Sequence, residues 1–231
     1  MVTGIMGAME EEVSCLQDII TVHNSINKAG MVFFEGKLEG KDVILVHSGI
    51  GKVNAAICAQ ILIDIFGVER ILFTGVAGAV ATKLRIGDIV IGSDVMYHDL
   101  DCTQFGYELG QVPRLKVRAF PADKELVRLA REAAARVGES GVFVGRILTG
   151  DRFIADRCLA MELGSKLGGL CTEMEGAGVG HTCYLNGIPF LLIRCISDQA
   201  NGTAPADFSK FYREAAKTAT MIIKYILNDM Q

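Results

Sequence analysis

The chain has no clustered stripe of basic residues, no C-x-x-C pair, no closely spaced histidine pair, and no apolar run of about 18 residues free of charge or glycine. Each absence removes a class of function. Its 23 Lys and Arg stand against 27 Asp and Glu, a formal net charge of −4. Binding to a phosphate backbone needs the opposite balance, so nucleic acid is excluded as the main partner. The seven cysteines, at 15, 58, 102, 158, 171, 183 and 195, form an odd and scattered set. They read as reduced, mostly buried small hydrophobes of a protein kept in a reducing compartment. His23, His47, His98 and His181 lie far apart, without the i, i+4 spacing of a helical zinc pair, so no metal is expected. The N-terminus shows no basic flank, long apolar stretch or small-residue cleavage site. The expectation is a cytoplasmic protein that meets no membrane.

Nucleotide-binding signatures are missing as well. The small-residue stretch Gly75-Val76-Ala77-Gly78 is not G-x-G-x-x-G, and "SGIGKV" lacks both the first glycine and the Ser or Thr of a P-loop. No linker, repeat or low-complexity stretch divides the chain.

What is present is an alternation of strand and helix patterns. An apolar run at Val2 to Ala8 precedes two β-rich segments around Gly40-Lys41, which read as a hairpin. "KVNAAICAQILIDIF" is helical and apolar on nearly every side, hence expected to be buried. "RILFTG" and "GDIVIGSDVMYHD" read as strands. "DKELVRLAREAAARVG" is an amphipathic helix with an Asp at its start and a Gly at its end. "VFVGRILTG", "LCTEME" and "IPFLLIRCISD" are further strands, each followed by a helical segment, and the last helix closes the chain. The 231 residues are read as one α/β domain, 1–231, with a largely parallel sheet buried on both faces.

In such folds ligands bind beyond the carboxyl ends of the strands. Those ends are polar here. The first strand is followed by Glu10, Glu11 and Glu12, and the "RILTG" strand by Asp151, Arg152 and Phe153. "GGLCT" is followed by Glu173, Met174 and Glu175, and "FLLIRCIS" by Asp198. Carboxylates from several strand ends, bare backbone from another and an aromatic from a fourth suit acid/base chemistry on a polar, ring-bearing small molecule. Taken singly, each has a plainer explanation. Three adjacent glutamates suit the first turn of a helix, where the dipole favours negative charge. Asp198 suits a helix cap, Glu175 a strand-to-helix junction, and Phe153 the core.

Together, "GIMGAMEEEV", "SGIGKVNAA", "FTGVAGA", "LRIGDIVI", "YHDLDCTQFGYELGQVP", "TGDRFI", "TEMEGAG" and "IRCISD" resemble, in order, the 5′-methylthioadenosine/S-adenosylhomocysteine nucleosidases of the type I nucleoside phosphorylase family. The resemblance spans the chain. It implies a single-domain three-layer α/β/α sandwich around a mixed, largely parallel twisted sheet. It also implies hydrolysis of the N-glycosidic bond between adenine and a 5′-thio-substituted ribose, without cofactor or metal.

On that resemblance Asp198 is the acid that serves adenine N7, and a raised pKa would let it hold its proton. Glu12, the last of the three glutamates, is the base that takes a proton from the attacking water; Glu10 and Glu11 suit the dipole or the solvent. Glu175, supported by Met174, holds the ribose hydroxyls, and Arg194 sets conformation near the acid. Phe153 stacks on adenine, Ile154 offers backbone hydrogen bonds to its edge, Ser197 belongs to the binding set beside Asp198, and Gly78 lets the backbone approach the base. Met9, Ile50 and Phe208 line the slot for the alkylthio group. Phe105 and Pro113 reach in from the second subunit of a homodimer.

Val76 departs from the family, which commonly has Ser in that turn. A valine side chain cannot hydrogen-bond water or ribose. Ala79 replaces a frequent second glycine, and Glu173 is left without a role. The competing readings are a futalosine-type nucleoside hydrolase, a purine nucleoside phosphorylase of the same fold, and a nucleoside-binding or storage protein without turnover.

Overall fold

The computed structural model describes residues 1–138, 141–201 and 204–230, with the side chains of 204–210 outside the description. Ten strands form one mixed sheet: β1 (Thr3–Gly7), β2 (Thr21–Lys28), β3 (Met31–Leu38), β4 (Lys41–His47), β5 (Arg70–Ala79), β6 (Ile89–Tyr97), β7 (Phe120–Pro121), β8 (Val142–Thr149), β9 (Gly169–Glu173) and β10 (Phe190–Asp198). The helices are α1 (Glu10–Gln17), α2 (Lys52–Asp64), α3 (Lys124–Val137), α4 (Arg157–Leu167), α5 (Gly176–Asn186) and α6 (Ala204–Asp229). None among the described residues is long and apolar enough to cross a membrane.

Strand order runs β10-β6-β8-β9-β5-β1-β4-β3-β2, and β10 also pairs with β5. That additional pairing corrects the expected open sandwich. Strands β5, β9, β8, β6 and β10 close on one another as a five-stranded barrel, while β1, β4, β3 and β2 continue outward from β5. Strand β5 is long enough to serve both parts. Its first residues pair in parallel with β1, and Gly78 and Ala79 at its end pair antiparallel with β9. Register shifts at Gly92/Asp94, Arg146/Ile147 and Ile196/Asp198 sharpen the local twist, as bulges do, and help the strands curl shut. Parallel pairings join β1 to β4 and β5, β10 to β5, and β8 to β6 and β9; the remaining pairs are antiparallel.

The predicted hairpin is found as β3 and β4, paired from Phe33–Val46 down to Leu38–Lys41. Strand β2 was not anticipated. It is an almost wholly exposed edge strand without hydrophobic alternation, and its pairing with β3 is what makes it a strand. The small-residue stretch Gly75 to Gly78 is not a turn but the continuation of β5.

The core follows the hydrophobic pattern closely. All nine residues of β10 are buried, and Ile5, Met6, Leu72, Phe73, Val90 and Ile91 are fully enclosed. Helix α6 packs on β10 and β5 beside α1 and α3, and α2 packs on α5, which in turn lies against β6, β8 and β10. Helix α2 is less buried than its composition implies. Ala55, Cys58, Ala59 and Leu62 face the core, whereas Val53 and Ile57 on another side are exposed. Periodicity carries no information in a helix that is apolar all round, so the outward face was not visible in its sequence.

Candidate active site

The carboxyl ends of β1, β4, β8, β9 and β10, with the second half of β5, surround a cavity of about 260 Å³. Met9, Glu12, Ile50, Val76, Gly78, Phe153, Ile154, Met174, Glu175, Ser197 and Asp198 all line it. The structure thus brings together eleven of the fifteen residues singled out above.

Glu12 belongs to the first turn of α1. Glu10 and Glu11 of that turn are exposed; Glu12 is 5% exposed. The helical turn carries it back over the strand it follows, so that Oε2 accepts from the Ala8 N–H at 2.7 Å and the Met9 N–H at 3.1 Å. Its Oε1 accepts from the Val76 N–H at 2.9 Å. Burial raises its pKa against the opposing pull of Arg194 and the three amides. Such a carboxylate is a stronger base than an exposed one.

The run of small residues in β5 now has a cause. A Cβ on Gly75 would strike Glu12 Oε1, and one on Gly78 would lie 2.8 Å from Asp198 Oδ1. Both glycines let a strand pass directly against a carboxylate. Gly78 also lines the cavity.

Asp198 ends β10 and is buried. Ser197 Oγ donates to its Oδ2 at 2.9 Å and the Ala200 N–H to its Oδ1 at 2.8 Å. Glu175, just before α5, accepts the Gly51 N–H on Oε1 at 2.8 Å. Burial raises its pKa, and the neighbouring charges of Glu173 and Glu12 push the same way. Sequence reasoning missed the Gly51 amide. Its signal was in "SGIGKV": Gly51 has φ of 101°, a conformation that strains other residues.

Glu173 now acquires a place. Its Oε2 meets Arg194 Nη2 at 2.7 Å and accepts the Gly176 N–H at 2.8 Å, so it caps the N-terminus of α5 while pairing with the buried guanidinium. Thr149 Oγ1 donates to its other oxygen and accepts the Ala177 N–H at 2.8 Å. Arg194 stands behind the cavity wall, not in it. Its guanidinium lies 4.2 Å from the centre of the Phe73 ring, and its charge reaches Glu12 and Glu175.

Three expected residues stand apart. Phe105, in a 3-10 turn at Thr103–Phe105, is 83% exposed, and neither it nor the half-buried Pro113 lines the cavity of its own chain. Phe208 lies in α6 where side chains are outside the described residues. Ala8, Ala77, Arg152, Thr172 and Glu173 complete the lining without having been assigned a part there.

Residues 2–228 match the model of the phosphorylase superfamily. A protein of Staphylococcus haemolyticus named 5′-methylthioadenosine/S-adenosylhomocysteine nucleosidase is 40% identical over 225 residues, which cover 97% of this chain and 98% of that one. The crystal structure of the nucleosidase of that name from Neisseria meningitidis, in complex with methylthio-immucillin-A, superposes with a TM-score of 0.95 at 34% identity, covering 99% of both chains. The native structure of futalosine hydrolase from Helicobacter pylori gives a TM-score of 0.93 at 31% identity, covering 99% of this chain and 98% of that one. With its barrel, its carboxylate-lined cavity and a match running nearly end to end, the chain belongs to the phosphorylase superfamily and, within it, to the 5′-methylthioadenosine/S-adenosylhomocysteine nucleosidase family.

Proposed function

We propose that this chain, acting as one domain over residues 1–231, is a hydrolase that cleaves the N-glycosidic bond of 5′-methylthioadenosine and S-adenosylhomocysteine, releasing adenine and the 5′-thio-substituted ribose. One observation carries the reading: Glu12, Glu175 and Asp198, delivered by three different strand ends, face a single cavity. Adenine leaves poorly as an anion, so Asp198 donates a proton toward N7 as the bond breaks. The ribosyl group becomes cation-like, and Glu175 holds its hydroxyls while its charge favours that state. Glu12 removes the proton from the attacking water. Phe153 stacks on the base, Ile154 and Gly78 bound it, and Met9, Ile50 and Met174 form the apolar side of the sugar and thio slot.

The same geometry opposes phosphorolysis, since a buried carboxylate at Glu12 repels phosphate from the place where a nucleophile must sit. No cofactor has a part in these steps. The working form is a homodimer, supported by the apolar side chains Val53, Ile57, Leu185 and Phe105 exposed on one chain. The partner's copies of Phe105 and Pro113 then complete the slot. Seven unpaired cysteines suit the cytoplasm.

A second reading, a futalosine-type hydrolase, is favoured by the Helicobacter pylori neighbour and needs the same acid and base. Release of the base from methylthioadenosine, S-adenosylhomocysteine and a futalosine-type nucleoside, each with and without phosphate, tests the proposal. Phosphate-independent release from the thio-nucleosides is expected. Turnover confined to the futalosine-type substrate selects the second reading, and a 5-substituted ribose 1-phosphate as product overturns both.

A further inference from the structure

The loop that carries Ile50 and Gly51 leads directly into α2, whose first residue is Lys52. Lys52 Nζ donates to both carboxylate oxygens of Asp99 at 2.8 Å and lies 3.2 Å from Asp151 Oδ2. Asp99 follows β6 and Asp151 follows β8, and the Asp151 N–H donates to Asp99 Oδ2 at 2.8 Å. One ammonium therefore ties together loops from three strands. The Lys52 and Asp99 side chains are only 21% and 29% exposed, so their attraction is screened less than that of an open surface pair. Burial works against the charge on Lys52, yet its two acidic partners hold its pKa above the ordinary lysine value.

Neither Lys52 nor Asp99 lines the cavity, but both ends of the clasp reach it. On one side Gly51, adjacent to Lys52, gives its N–H to Glu175; on the other, Phe153 stands two residues after Asp151. A glycine with φ of 101° has little side-chain packing to fix its amide direction, so the loop around it has to be held from outside.

We propose that Lys52 is a positioning residue, whose ion pairs with Asp99 and Asp151 hold the Gly51 amide on Glu175 and the Phe153 loop over the base. The proposal rests on the nucleosidase reading above and deepens it: the clasp orients ribose and adenine without touching either.

The test compares wild type with Lys52→Met, Lys52→Arg and Asp99→Asn in adenine release from methylthioadenosine across pH. Lys52→Met and Asp99→Asn are expected to lower kcat/KM by about 10- to 100-fold, the scale set by small misplacements of orienting groups. KM should rise, and Lys52→Arg should restore most of the loss. The acidic limb of kcat/KM should also move to higher pH. Glu175 faces Glu173 on β9, Arg194 on β10, Glu12 on α1 and the Gly51 amide, and loosening that amide removes one of the groups that favour its charged form. A Lys52→Met variant with wild-type KM and an unmoved pH profile overturns the clasp. So does equal impairment by Lys52→Met and Lys52→Arg with lowered thermal stability and an unmoved profile, which marks a purely structural pair. A wild type that releases no adenine overturns the nucleosidase reading and the clasp together, whereas an active wild type confines any failure to the clasp.

Discussion

Glu173, in the wall of the cavity, and Arg194, behind it, form an ion pair of 2.7 Å whose side chains are 3% and 1% exposed. Both charges are buried, so each depends on the other. Arg194→Met should destabilise the fold by about 3–5 kcal/mol, because it leaves a buried carboxylate without its partner. The double variant Glu173→Gln/Arg194→Met should cost clearly less than the two single changes added together. Urea unfolding of all four proteins checks this. Simple additivity would mean that the two groups stabilise the fold independently.

Asp198→Asn and Glu12→Gln should each reduce turnover by about 100-fold or more, as removal of a general acid or base does. The far-ultraviolet circular dichroism of both should match wild type. Near-normal turnover in either variant would remove that residue from the reaction.

The burial of Glu175 predicts a pH-dependent stability. Its folded-state pKa lies above the ordinary 4.5, because burial and then Glu173 disfavour its charge. Above that pH the native state keeps a proton that the unfolded chain has released, so stability falls as pH rises toward the folded value. Relative to Glu175→Gln, wild type should lose up to about 1.4 kcal/mol per pH unit over that interval. Urea midpoints of the two proteins at a series of pH values measure the slope. A flat or opposite difference would mean that the carboxylate is ionised in the fold without penalty.

Val76 meets Glu12 through its backbone N–H, a contact that does not depend on its side chain. A single neutral hydrogen bond contributes about 0.5–1.5 kcal/mol. Val76→Ser should therefore raise catalytic efficiency by at most about tenfold, since ~1.4 kcal/mol is one decade in rate. Steady-state adenine release across a phosphate series should show no phosphate stimulation in either form. Phosphate-dependent turnover in the serine variant would show that Glu12 does not keep the anion out.

Phe105 is too exposed to support its own chain, so its substitution should leave folding of the monomer intact. Phe105→Ala should weaken binding of methylthioadenosine more than binding of free adenine, both measured by calorimetry. Equal losses, or a fully active monomer by light scattering, would count against a pocket completed by a second subunit.

The amino-acid sequence by itself determined which strand ends carry carboxylates. Acidic residues after apolar runs are a local signal that marked the segments holding Glu12, Glu175 and Asp198, and the resemblance to the nucleosidases picked out these three within them. The hairpin at Gly40-Lys41 and the buried β10 were legible for the same reason, since turn chemistry and a continuous apolar run act within a few residues. Only the tertiary structure decided that the sheet closes, because β10 pairing with both β5 and β6 joins segments whose separation in sequence leaves no local mark. Long-range contacts also separated Glu12 from Glu10 and Glu11, which share its chemistry and its turn. Val76, 64 residues away, supplies the amide that receives its carboxylate. The same holds for Glu173: capping α5 is a local act, but its partner Arg194 arrives on another strand, β10, and only packing buries the two charges against each other.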